Sequence, residues 1–335
     1  MRNSCLHIIF LLHLAITAMA QEPQFTQFYA APMYLNPAFT GHTYEHRFTA
    51  NYRNQWPSVK TAYKTYMATY DYNISNLNSG IGGFVLQDHA GTSRLVTTQT
   101  GLNLAYRFKV KKHAEIRAGM MIAMTTKKLD NTTLVFNDQL ISGGAPGSSA
   151  DAKSVEPVTY LDLGAGLLFN STNYWFGIAA KHINQPNNSM AGNTEALPVY
   201  LDIHGGYRYI ISAKGAGRTD LQEFVSASFH FRKEQNYSQL DLGAYYFKSF
   251  LNVGLWYRGL PFKHYQPGYP NRESIAVLLG LEIPDKNFRI GYSYDITISH
   301  LGITNTQGAH EVSLVYEIAK KRKKNKHVLV SCPKF

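Results

Sequence analysis

"FRIGYSYDITIS", residues 288–299, alternates without a break. Phe288, Ile290, Tyr292, Tyr294, Ile296 and Ile298 fall on one face, and Arg289, Gly291, Ser293, Asp295, Thr297 and Ser299 on the other. Successive side chains of a strand point to opposite faces, so the segment is a β-strand with one apolar and one polar face. "LNVGLWYRG" sets Leu251, Val253, Leu255 and Tyr257 against Asn252, Gly254, Trp256 and Arg258. "IRAGMMIAM" sets Ile116, Ala118, Met120, Ile122 and Met124 against Arg117, Gly119, Met121 and Ala123.

A soluble sandwich would alternate too. Three features favour a barrel in a membrane. The alternating runs are about 9 to 13 residues long, near what a tilted strand needs to cross a bilayer. Their polar face is small or charged, as at Gly164, Gly166, Asp241, Gly243, Arg289 and Asp295, which suits a lumen. The connections also alternate in length. Short ones fall at 73–79, 109–113, 170–172, 211–220, 249 and 284–287, and longer ones include 127–157, 184–198, 259–272 and 299–309. Bacterial barrels have even strand numbers, short periplasmic turns and longer outer loops. The expectation is an all-β protein: a transmembrane antiparallel barrel of about fourteen strands within 45–318, with periplasmic N- and C-terminal extensions.

Composition agrees. Charged residues are 16% of the chain, where soluble domains average about 25%. Tyrosine and phenylalanine number 23 and 18, enough for two aromatic girdles. Residues 1–20 have the form of an export signal, with Arg2, an apolar run from Leu6 to Ile16, and Ala18-Met19-Ala20 before Gln21. That run is too short for a membrane helix. Cleavage there leaves Cys332 as the one cysteine and excludes an internal disulfide. The net charge is +11; subtracting Arg2 and the seven cations of residues 320–335 leaves +3, so the basicity is concentrated in the tail, 319–335. "KKRKKNK" in an exported chain points to contact with a partner or to a solvated tail, not to nucleic acid.

Between signal and first strand, residues 21–44 are too broken for a helix and too aromatic for a linker. Pro32 and Pro37 fix their own φ and bias the preceding residues toward extended conformations, so ordering the segment costs little entropy. Lined by Phe25, Phe28, Tyr29, Tyr34 and Phe39, it is expected to pack across the periplasmic mouth or into the lumen as a plug; a tail lying along the wall is the other reading.

"PQFTQFYAAPMYLNPAFTG" and "YRNQW" near the start resemble the PorP/SprF family of outer-membrane proteins tied to type IX secretion and gliding. The resemblance runs on through "KHINQP" (Lys181–Pro186), "HGGYRY" (His204–Tyr209), "GLWYRG", "IGYSYDITIS", "HEVSL" (His310–Leu314) and the terminal "CPKF". It implies a non-enzymatic outer-membrane barrel without cofactors. The implied role is export or surface anchoring of a secreted adhesin with a type B C-terminal sorting domain, contact with periplasmic secretion-system lipoproteins, or both. Expected partner contacts are Phe25, Phe28, Tyr34, Asn36, Pro37 and Trp56 near the start, and Lys321, Arg322, Lys323, Lys324, Cys332, Pro333 and Phe335 in the tail.

Catalytic chemistry has little to stand on. The histidines are scattered, and His42 and His46, four apart in extended chain, lie about 13 Å from one another. No G-x-S-x-G elbow occurs, and Asp295, His310 and Ser313 are triad members only in residue type. The charges that parity turns inward are Arg53, Arg117, Asp162, Asp202, Arg208, Arg232, Asp241, Arg258, Glu282, Arg289 and Asp295. They are read as pairs across a narrow lumen, or else as the constriction of a solute channel or general diffusion pore.

Overall fold

In the computed structural model, residues 22–59, 62–91, 95–111, 113–129, 141, 156–213, 222–266, 269–283 and 286–318 are described. Among them are fourteen strands: β1 (His46–Gln55), β2 (Tyr63–Ile74), β3 (Ser79–Ala90), β4 (Leu95–Lys111), β5 (Ala114–Leu129), β6 (Val158–Ser171) and β7 (Tyr174–Lys181), then β8 (Tyr200–Ala213), β9 (Gln222–Glu234), β10 (Tyr237–Lys248), β11 (Leu251–Gln266), β12 (Tyr269–Ile283), β13 (Phe288–Thr297) and β14 (Ala309–Ile318). Each pairs antiparallel with its chain neighbours, and β1 pairs with β14, closing the barrel. Closure leaves no sheet edge along the span, the condition for strands to sit in hydrocarbon.

The faces fall as the alternation requires. Arg289, Ser293 and Asp295 of β13 are buried inward, and Ile290, Tyr292 and Ile296 are exposed outward. On β4 the outward row is Leu102, Leu104, Tyr106 and Phe108, while Gly101, Asn103 and Ala105 point in. At the end with the short connections, outward aromatics recur around the wall: Phe48, Tyr70, Tyr106, Phe108, Tyr174, Phe176, Tyr207, Tyr209, Tyr246 and Tyr316. This is the interfacial girdle the tyrosine and phenylalanine content calls for. Leu102, near the middle of β4 and 64% exposed, faces lipid. Leu102→Arg should cost about 2–4 kcal/mol of membrane folding free energy; folding into vesicles, followed by heat-modifiable migration on a gel, reads the loss.

One expected loop is a hairpin. Residues 259–272 carry Gly259, Pro261, Pro267, Gly268 and Pro270 and read as irregular chain. Instead β11 runs on to Gln266 and β12 starts at Tyr269, with register shifts from Arg258 through Gln266 absorbing the breakers. Gly259 takes φ +136°, a conformation that side chains resist. Likewise β4 continues through part of 109–113 to Lys111. Residues 1–20, most of 127–157 and the tail 319–335 lie outside the described residues, and with them Lys321, Arg322, Lys323, Lys324, Cys332, Pro333 and Phe335.

Candidate functional site

The chain ahead of β1 lies inside the barrel. It enters at the turn end, where β1 begins, and its first described residues, Glu22 to Gln27, contact the loop-end halves of β1, β11, β13 and β14 and the turn after β7. Short helical turns at Phe28–Ala30, Pro32–Leu35 and Pro37–Phe39 let it coil across the lumen. The prolines make this cheap: Pro32 and Pro37 open helical turns, and Asn36, ahead of Pro37, is extended at φ −155°, ψ 122°.

Backbone polar groups of a buried irregular segment need partners, and the wall supplies them. Asn36 Oδ1 accepts from Ala38 N–H at 2.8 Å, and its Nδ2 donates to Leu167 O and Ile178 O at 3.1 and 3.3 Å. Arg117 donates to Ala38 O at 2.9 Å and Thr40 O at 2.7 Å. Asp71 accepts from Gly41 N–H at 2.7 Å and is gripped from the other side by both arms of Arg47, at 2.9 and 2.8 Å. Glu311 accepts the N–H groups of Thr26 and Gln27 at 2.7 and 2.9 Å.

A buried ion network surrounds that last contact. Arg53 and Arg258 each reach Asp295 Oδ2 at 2.8 Å, and Arg53 reaches Glu311 at 3.2 Å. Thr26 Oγ1 donates to Asp295 at 2.7 Å. Asp241 adds Arg232 and, at 3.8 Å, Arg258. At the other end Arg289 pairs with Glu317 at 3.2 Å, and Glu317 accepts from Thr43 at 2.8 Å. Asp202 accepts from His204 at 2.9 Å and His230 at 2.5 Å.

Between these polar ends the contacts are apolar. Phe28 meets Trp256 edge-on at 4.9 Å and leans on His230 at 4.9 Å. Tyr29 meets Tyr245 at 5.3 Å, and Phe39 stacks on His204 at 5.6 Å. Phe25 and Met33 pack with Met67, Phe84, Leu86 and Met121. Inward glycines make room where backbone touches wall: a Cβ on Gly119 would collide with Pro37 C and Ala38 N, and one on Gly80 with Thr40 O.

Of the residues the sequence singled out, Phe25, Phe28, Tyr34, Asn36 and Pro37 all come together in the lumen. Arg53, Arg258 and Asp295 form one network; Arg117, Asp202 and Arg289 stand in separate ones. Arg208, half-buried at the turn end, donates to Thr172 O. Trp56 is apart from them, on the loop-end rim, its N–H donating to Gly308 O and its ring edge-on to Tyr63 at 5.6 Å. Asp295, His310 and Ser313 do not converge: His310 bonds Tyr292 on the outer surface, whereas Ser313 donates inward to Gln27. Sequence reasoning passed over Asp71, Glu311 and Glu317, although each shares the inward parity of its strand.

Glu22 is held by the turn after β7. His182, at φ 58°, sets Nε2 3.2 Å from Glu22 and Nδ1 2.9 Å from Asp162. Tyr34 donates to Glu22 at 3.0 Å, and Lys181 Nζ sits 3.4 Å above the Tyr34 ring. Burial alone would lower the His182 pKa, but hydrogen bonds to Asp162 and Glu22 raise it to about 9. Raised above the usual histidine value of about 6.5, it adds stability that is complete below that value and is lost as pH climbs through about 9. Burial pushes Glu22 up, yet the His182 hydrogen bond and charge hold it well below the ordinary carboxylate range. Its share is therefore present above that range and lost only in strong acid. Protease resistance of residues 22–30 should hold from about pH 5 to 8 and fall above about pH 9; digestion of the folded protein across that range checks it.

The family model for the type IX secretion system membrane protein PorP/SprF matches residues 17–316. The chain belongs to the PorP/SprF family. No curated protein matches it. Among solved structures, Omp33 of Acinetobacter baumannii is 8% identical with a TM-score of 0.42, over 82% of this chain and 99% of Omp33. The Pseudomonas putida toluene transporter TodX is 11% identical with a TM-score of 0.46, over 85% and 93%. The monoaromatic hydrocarbon channel CymD is 12% identical with a TM-score of 0.48, over 88% and 94%. Likeness at this level carries no argument about transport. As a PorP/SprF protein with this barrel, the chain is an outer-membrane protein of the type IX secretion system, a non-enzymatic class.

Proposed function

We propose that this PorP/SprF protein is a closed anchoring barrel of the secretion and gliding machinery. At its loop end it holds an exported surface protein with a type B sorting domain, and at its turn end it contacts periplasmic lipoproteins of the machine. One observation carries the reading: residues 22–43 occupy the lumen and are pinned at both ends by hydrogen bonds to buried wall carboxylates that are themselves ion-paired. A diffusion pore needs an open, wetted path, whereas an anchor needs only a rigid body fixed in the membrane. Among the described residues, the inward charges Arg47, Arg53, Asp71, Arg258, Arg289, Asp295 and Glu317 are paired with one another. Long connections gather at one end, the end that faces outward in bacterial barrels. The test is conductance: the purified protein in a planar bilayer should pass no steady current, and steady porin-like conductance would return the diffusion pore to first place.

A further inference from the structure

The β4–β5 hairpin extends past its neighbour at the turn end. The β3–β4 ladder ends at Ser79 opposite Tyr106, followed by one bond from Arg107 N–H to Asn78 O at 2.8 Å. β4 continues five residues beyond that last pair, roughly 17 Å of strand, paired only with β5, regularly to Lys109 opposite Glu115 and then, after a register shift, at Lys111 opposite Ala114. Among the described residues no strand covers the other edge of Phe108–Lys111. An unpaired edge does not occur in hydrocarbon, so this stretch runs from the girdle, at Phe108, out into the aqueous layer.

The tip is both apolar and basic. Phe108 and Val110 are each 51% exposed, and Leu77, in the adjoining turn, is 63% exposed. Lys109, Lys111 and His113 are exposed beside them. The hairpin's one acid, Glu115, is buried beside Arg117 and His42. Because Arg107 bonds toward β3, the period of two turns the N–H and C=O of Lys109 to the same open side.

We propose that this edge is a docking site for an acidic, extended segment of a periplasmic partner. The segment adds as a strand beside β4, apolar residues meeting Phe108 and Val110 and carboxylates meeting Lys109 and Lys111. The chain's own tail, residues 320–335, carries seven cations and no acid, so it does not suit the site. The inference rests on the anchoring reading and assigns its periplasmic contact to one edge.

The experiment uses the full-length protein in nanodiscs of zwitterionic lipid, with a labelled alternating Glu–Val peptide as probe and fluorescence anisotropy as readout. Wild type should bind this peptide and not an alternating Lys–Val one. Lys109→Pro removes the N–H on the open side, where an edge strand tolerates proline, and should weaken binding by about tenfold or more. Reversing charge with Lys109→Glu and Lys111→Glu together should move the preference to the Lys–Val peptide. Heat-modifiable migration shows that both variants are folded. Equal binding by wild type and Lys109→Pro overturns the proposal. So does the outcome in which no peptide binds but charge reversal abolishes adhesion to phosphatidylglycerol vesicles, since the tip is then a lipid contact. If Lys109→Pro still recovers periplasmic lipoproteins from native membranes, the edge is excluded while the anchoring reading stands.

Discussion

Asp295→Ala should lower unfolding stability by about 3 kcal/mol and loosen the loop-end half of the lumen segment. Asp295 is buried and meets Arg53 and Arg258 at 2.8 Å each, with Thr26 as third donor. Removing one partner of a buried pair leaves uncompensated charge, which costs roughly 3–5 kcal/mol. The lower end applies because Glu311 still faces Arg53 and Asp241 still faces Arg258. Asp295→Asn, which keeps the shape and one acceptor, should cost about half as much. Urea unfolding in detergent gives the size of the effect. Protease accessibility of Thr26 locates it: a stability loss without new cleavage there would mean that the network braces the wall alone.

The second large effect is expected at Gly119. Its missing side chain leaves the space through which Pro37 and Ala38 pass, and the colliding atoms are backbone, which cannot rotate aside. Val at this position therefore has to push the segment off β5. Overpacking in a core costs about 1–3 kcal/mol, and here the strain falls on the segment because β5 is laddered to β4 and β6. Arg117 would lose its bonds to Ala38 O and Thr40 O in the same movement. Gly119→Val should still fold as a heat-modifiable barrel and conduct where wild type does not. A variant both folded and silent would mean that the segment has room to shift within the lumen.

Much of the architecture was legible because a barrel strand is read locally. Phe288 to Thr297 declares both faces without reference to the rest of the chain, and the strand count follows from repeating that reading. It failed at 259–272, where Gly259, Pro261 and Pro270 weighed as loop residues; a two-stranded ribbon past the rim tolerates them because its register can slip. Inward charges were legible by the same parity. Their partners were not, since Arg53 meets Asp295 across 242 residues of chain, a pairing set by where closure brings β1 and β13. Aromatic content and prolines marked residues 21–44 as an ordered segment. Its course up the lumen depends on wall glycines such as Gly80 and Gly119, whose purpose shows only once the strands are assembled.

Anchoring is read out by mild-detergent purification of the tagged protein from its own outer membrane, with mass spectrometry of what accompanies it. Near-stoichiometric recovery of a large surface protein with a type B sorting domain, of periplasmic secretion-system lipoproteins, or of both is the predicted result. Recovery of the barrel alone under conditions that preserve other outer-membrane complexes would contradict an anchoring role.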